Sequence, residues 1–389
     1  MCQGYSSREE HALRAGAAAD KEPAKAESRL ADARASTTSL LRPGPHVSFA
    51  AVRLLLVSFL GTLLVTNLWA ATTNAVTKHA PASAKAANPN DPVEQEYRKL
   101  MADDDGAQDE IDQWIRENQK FNEKGADLAE ATLRPRIRQR LEQVRKAYES
   151  FLQRHPEHLN ARIAFGSFLN DIAEDEAASQ QWLKARDLDP QNAAVWNNLG
   201  NYYGHNGGSS NAFVCYTKAI ELAPKEPLYY HNLAITTYMF RKDAMAFFDL
   251  PEPATLTKAM ALYRKAQALD PGNFPLATEL AQTYYGFKPP PSSDAEATQR
   301  ALQKHYDEAL EAWLVALKLA GDDIEREGIF IHLARVNLMA GRFDESRRNL
   351  NLVTNAMYND VKERLQKNLS KQDTKVLSAP PPALRAPGK

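Results

Sequence analysis

The chain has 389 residues, 43 % apolar and 25 % charged, a globular composition with material for a sizeable core. A formal net charge of -1 gives no overall pull toward nucleic acid or anionic membrane. Its two cysteines, Cys2 and Cys215, have no C-x-x-C zinc or redox spacing and make no disulfide framework.

Residues 1–46 are rich in Ala, Arg, Glu, Ser and Pro without apolar periodicity, so they are read as disordered or as an extension ahead of the true start. Residues 47–75 have a different pattern. Arg53 precedes an apolar run from Leu54, and small residues come after it, with Ala70, Ala71 and Ala75 as cleavage points, as in a signal peptide. The stretch 54–72 is also barely long enough to cross a bilayer, so a retained membrane anchor is the competing reading. Residues 76–92, an Ala, Pro, Lys and Asn spacer, read as a flexible linker.

In residues 93–158 the pattern predicts two short helices, 93–101 and 111–121, around an acidic turn at Asp103, Asp104 and Asp105. Those carboxylates lack the glycine and distal glutamate of a calcium loop, so they are assigned to capping and solvation. From 136 to 153, Leu141, Val144, Tyr148 and Phe151 recur at helical spacing before Pro156, which predicts a helix capping the segment after it.

That segment is one unit written twice, at 159–192 and 193–226. Phe165 and Gly166 recur in the second copy as Leu199 and Gly200, Ala178 as Ala212, Trp182 as Tyr216, Ala185 as Ala219, and Pro190 as Pro224, all at one constant offset. A third unit, 227–273, keeps Ala259, Tyr263, Ala266 and Pro271 but gains an insertion, roughly Arg241 to Pro253. Met245, Phe247, Phe248 and Leu250 make that insertion apolar, which predicts a lengthened helix that packs. A fourth unit, 274–323, keeps Ala309, Trp313 and Ala316 and gains a longer insertion that includes Pro289, Pro290 and Pro291. A fifth, 327–360, lacks the Trp and Pro. Residues 361–389 read as a terminal helix and a Pro-rich basic tail, with seven Lys or Arg against two acids.

This pattern resembles the tetratricopeptide repeat, whose signature is met in full by Trp196, Leu199, Gly200, Tyr203, Ala212, Tyr216, Ala219 and Pro224. The resemblance implies an all-α fold, a right-handed α-solenoid of helix-turn-helix repeats, whose work is to bind another protein rather than to catalyse. It further implies that the first helices line a concave groove. The groove candidates are then Asn198, Asn201, Tyr230, His231, Asn232 and Gln282, with Glu279, His332 and Arg335 at equivalent positions. An asparagine amide offers two donors and one acceptor, which suits it to the main chain of an extended peptide. The alternative is that these amides only tie helix to helix. Members that clamp a terminal carboxylate carry Lys or Arg where this chain has Ile163, Ser167, Leu228 and Asn232, which argues against that role. With a leader at 54–72 the resemblance is to bacterial envelope proteins, exported, periplasmic or membrane-anchored with the repeats outside the cytoplasm. A start at Val52, where a bacterial start codon also encodes valine, would give that leader ordinary length.

No enzyme, metal, cofactor, nucleic-acid or small-molecule motif is present in the sequence. Cys215 has no base at a spacing that would activate it and reads as a buried thiol. His155 and His158 flank a proline and have no third ligand in sequence. Gly204, Gly207 and Gly208 surround a turn. The expected partner is a peptide or helix of another envelope protein; docking of an enzyme or export system through the inserted segments is the second expectation.

Overall fold

The computed structural model describes residues 90–122 and 128–378, apart from 288 and 290. The N-terminal extension, the expected signal or anchor and the linker up to residue 89 lie outside the described residues, as does the tail beyond 378. Among the described residues there are fourteen α-helices and no strand, and no helix is long and apolar enough to cross a membrane. The helices fall into two compact bodies, divided between Leu250 and Pro251.

The first body holds α1 (Pro92–Asn122), α2 (Leu128–Arg154), α3 (Leu159–Asp171), α4 (Asp175–Leu188), α5 (Ala193–His205), α6 (Ser209–Leu222), α7 (Pro227–Met239) and α8 (Arg241–Phe248). The second holds α9 (Glu252–Leu269), α10 (Phe274–Gly286), α11 (Ala295–Leu319), α12 (Asp323–Met339), α13 (Phe343–Asn351), a 3-10 turn at Ala356–Tyr358 and α14 (Asn359–Ser378). The division falls inside the third repeat of the sequence, leaving α7 in one body and α9 in the other.

Helix pairs α3/α4 and α5/α6 are built on the same contacts, one repeat apart. A β-carbon placed on Gly166 would lie 2.4 Å from the Trp182 indole nitrogen, and one on Gly200 would lie 2.6 Å from the Tyr216 ring. Only glycine lets the two helices close on these aromatics. Asn192 caps α5 by accepting from the Ala194 and Val195 amides, and His158, one repeat earlier, caps α3 by accepting from Ala161. A clip recurs in the same register. Arg162, Trp196 and Tyr230 each donate to the carbonyl six residues back, on Pro156, Pro190 and Pro224, at 2.8, 2.8 and 3.1 Å.

The turn inside three of the pairs is closed by a bond from the amide of Glu174, Gly208 or Arg342 to the carbonyl five residues earlier, with Ala173, Gly207 or Gly341 just before it at φ of 63, 80 or 76°. This is the left-handed stop of a helix. In the third and fourth repeats of the sequence the corresponding positions are 241 and 288, where both insertions begin.

Two expectations change. Helix α1 runs unbroken through the predicted acidic turn, because these carboxylates have partners on a neighbouring helix. Tyr148 donates to buried Asp104 at 2.8 Å, and Arg140 bonds Asp103 and Glu110 at 2.7 and 3.0 Å. The first insertion makes a separate short helix, α8, besides lengthening α9 to 18 residues against 14 in α4 and α6. Helix α8 stops at Asp249 in the left-handed region and holds Phe247 and Phe248 against Phe213, with ring centroids 5.2 and 5.6 Å apart. The second insertion extends a helix further: α11 reaches 25 residues, capped by Asp294.

Candidate functional site

The predicted groove residues of the first body converge on an asparagine ladder between α5 and α7. Asn197, Asn198, Asn201 and Asn232 are all buried, although the sequence reading places Asn198, Asn201 and Asn232 on an open face. The Asn232 amide donates to the side-chain oxygens of Asn197 at 2.8 Å and Asn201 at 3.2 Å. Asn201 also accepts from the Tyr216 hydroxyl at 2.8 Å, and Asn197 donates to Asn198 at 3.4 Å. The ladder therefore joins the first helices of successive repeats to the aromatic of the second helix. One donor, Asn201 Nδ2, and one acceptor, Asn232 Oδ1, have no partner within it. Sequence reasoning misses Asn197; its signal is the doubled asparagine of Trp196-Asn-Asn-Leu199, which puts amides on two adjoining faces of α5.

Tyr230 and His231 are half-buried on α7, where the Tyr230 hydroxyl serves the turn clip. Gln282 belongs to the second body and is half-buried on α10.

In the second body the equivalent positions are occupied differently. His332 stacks on Trp313 with centroids 4.0 Å apart and an interplanar angle of 10°, and its Nδ1 lies 3.1 Å from the Tyr285 hydroxyl. Burial, with Arg335 adding to it, pushes the His332 pKa down to about 3, so the ring is neutral at pH 7. The Arg335 guanidinium lies 5.3 Å from the Tyr285 ring centroid.

Among the described residues no group of three or more His, Cys, Asp or Glu is placed to hold a metal. His158 instead faces Glu94 across α1 at 3.3 Å while capping α3, and His155 faces Glu96 at 3.4 Å. The Cys215 thiol is buried, and desolvation raises its pKa to about 12, which leaves it a thiol rather than a nucleophilic thiolate.

The fold and these contacts define a protein built from repeated helix pairs. The family model described as Tetratricopeptide repeat matches residues 193–226, the α5/α6 pair. Similar solved structures include PilF of Pseudomonas aeruginosa, 16 % identical, covering 70 % of this chain and 100 % of that one at a TM-score of 0.41. YrrB, described as a tetratricopeptide protein with an unusual peptide-binding site, is 14 % identical over 59 % of this chain and 99 % of that one, at 0.42. PilW, described as a widely conserved type IV pilus biogenesis factor, is 14 % identical over 62 % and 92 %, at 0.38. No curated protein matches the chain.

Proposed function

We propose that this chain is a non-catalytic protein-binding scaffold of the bacterial cell envelope, which holds a peptide segment or a helix of another envelope protein along the first helices of its repeats. The observation that carries the reading is the recurrence of one helix pair, with the same glycine-aromatic contact and the same turn clip, in the segment that carries the full tetratricopeptide signature. Repeats of this kind present extended surfaces for other proteins. The asparagine ladder fixes the register of α5 and α7, two of the first helices along which the partner would lie. The leader-like segment at 54–72 supports the envelope assignment and attachment to a membrane.

The test is co-purification from the envelope fraction, comparing the wild-type chain with an Asn198→Ala, Asn232→Ala variant of equal helicity. Loss of one reproducible companion supports the groove. Exposed Phe247, on a helix inserted into the repeat, favours a second reading in which an enzyme or export system docks on α8. Under that reading the companion survives the double variant and is lost when residues 241–250 are trimmed.

A further inference from the structure

The second body carries eight arginines among its described residues, and their partners are unequal. Arg264, Arg300, Arg326, Arg342, Arg347 and Arg348 each lie within ion-pair distance of a carboxylate. Arg364 donates to the Asp360 carbonyl. Arg335 alone has neither: it is exposed, and its guanidinium rests over the Tyr285 ring at 5.3 Å. The residues three and four positions away on α12 are His332, Ile331, Leu338 and Met339, so the helix itself supplies no acid. Tyr285 is held in turn by His332, 3.1 Å from its hydroxyl, and His332 by the Trp313 ring. A flat cation is thus set on a rigid aromatic support with its donors unspent, the arrangement that recognises a carboxylate bidentately.

The surroundings say what kind of carboxylate. Ile324 and Met339 share this side of α12, at 42 and 43 % exposure, with Arg335 between them. At 1.5 Å per residue they lie ~16 Å and ~6 Å from it along the axis. Aliphatic contacts on both sides of the cation fit a segment that continues past it in both directions, so the acid is a side chain within a chain and not its end.

We infer that α12, with Tyr285 of α10, forms a docking surface for a protein segment that presents an Asp or Glu side chain between aliphatic residues. This surface is independent of the asparagine ladder, which lies in the other body.

The test is selection of displayed random 12-residue peptides on the full chain, followed by affinity measurement of the enriched sequences. Enrichment of an internal Asp or Glu flanked by Leu, Ile or Met is expected. Binding should fall at least tenfold on Arg335→Gln, fall less on Arg335→Lys, and stay unchanged on Asn198→Ala. Because Arg335 is exposed, Arg335→Gln should leave the melting temperature within a degree or two, which separates a lost contact from a lost fold. The inference is overturned if no peptide is enriched, if the enriched peptides are neutral or bind through a terminal carboxylate, or if their affinity is indifferent to Arg335→Gln.

Discussion

Gly166 lies so close beneath Trp182 that a single added methyl would stand 2.4 Å from the indole nitrogen, inside any van der Waals contact. Trp182 is fully buried and its nitrogen already donates to the Ile163 carbonyl at 3.3 Å, so the ring has nowhere to move. Gly166→Ala is therefore expected to destabilise the first body by about 2–3 kcal/mol, as overpacking does. Gly204→Ala is the matched control, because its β-carbon would meet nothing nearer than the Tyr216 hydroxyl at 3.7 Å. That variant should be neutral or gain up to about 1 kcal/mol of helix propensity. Urea midpoints of the two variants decide the matter.

Ala173 holds φ at 63°, where its counterparts in the second and fifth repeats, Gly207 and Gly341, need no accommodation. Replacing it with glycine relieves a left-handed residue that carries a β-carbon, at the expense of a freer unfolded chain. A net gain of about 0.5–1 kcal/mol is expected for Ala173→Gly, read as a rise in midpoint with unchanged denaturant slope.

Removing the Asn232 side chain leaves Asn197 without the donor it faces at 2.8 Å in a site closed to water. A buried acceptor stranded in this way costs roughly 1–3 kcal/mol. A double-mutant cycle with Asn197→Ala should show coupling, since the second change removes the stranded acceptor. Strictly additive effects would mean that the ladder bond contributes nothing.

His332 predicts acid lability of the second body. Its folded pKa, about 3, is far below the ordinary value of 6.5, so the unfolded chain takes up the proton first as pH falls. The contribution to stability is complete above pH 6.5 and is lost between 6.5 and 3, on the order of 3–5 kcal/mol in all. His305 in the same body is depressed by burial too and acts in the same direction, so the difference between wild type and His332→Gln is the quantity to follow. Stability of the variant should fall less steeply over that range; parallel curves would show that another group carries the effect.

The repeat was legible because a glycine under an aromatic, a proline at the turn and small residues at the crossing are each dictated by backbone geometry, which recurs with every copy of the unit. The fate of the asparagines was not. The resemblance places Asn198 and Asn232 on the concave face, but whether a polar amide there meets a ligand or another amide depends on Asn197 and Tyr216, and no periodicity couples those residues. The acidic run at Asp103 misled for the same reason. Its partners, Tyr148 and Arg140, lie 44 and 37 residues away on α2. The division inside the third repeat was hidden because an apolar insertion reads alike whether it lengthens a helix or folds back as α8.

Both insertions begin at the residue that would otherwise turn left-handed between paired helices, positions 241 and 288. In the uninterrupted repeats the helix has already ended at that residue, and the amides of Gly208 and Arg342 close its last turn, so added sequence strains nothing behind it. The hairpin bend of each repeat is thus a grafting point: foreign loops spliced between Gly207 and Gly208, or after Gly341, should be carried as appendages by a framework that folds as before.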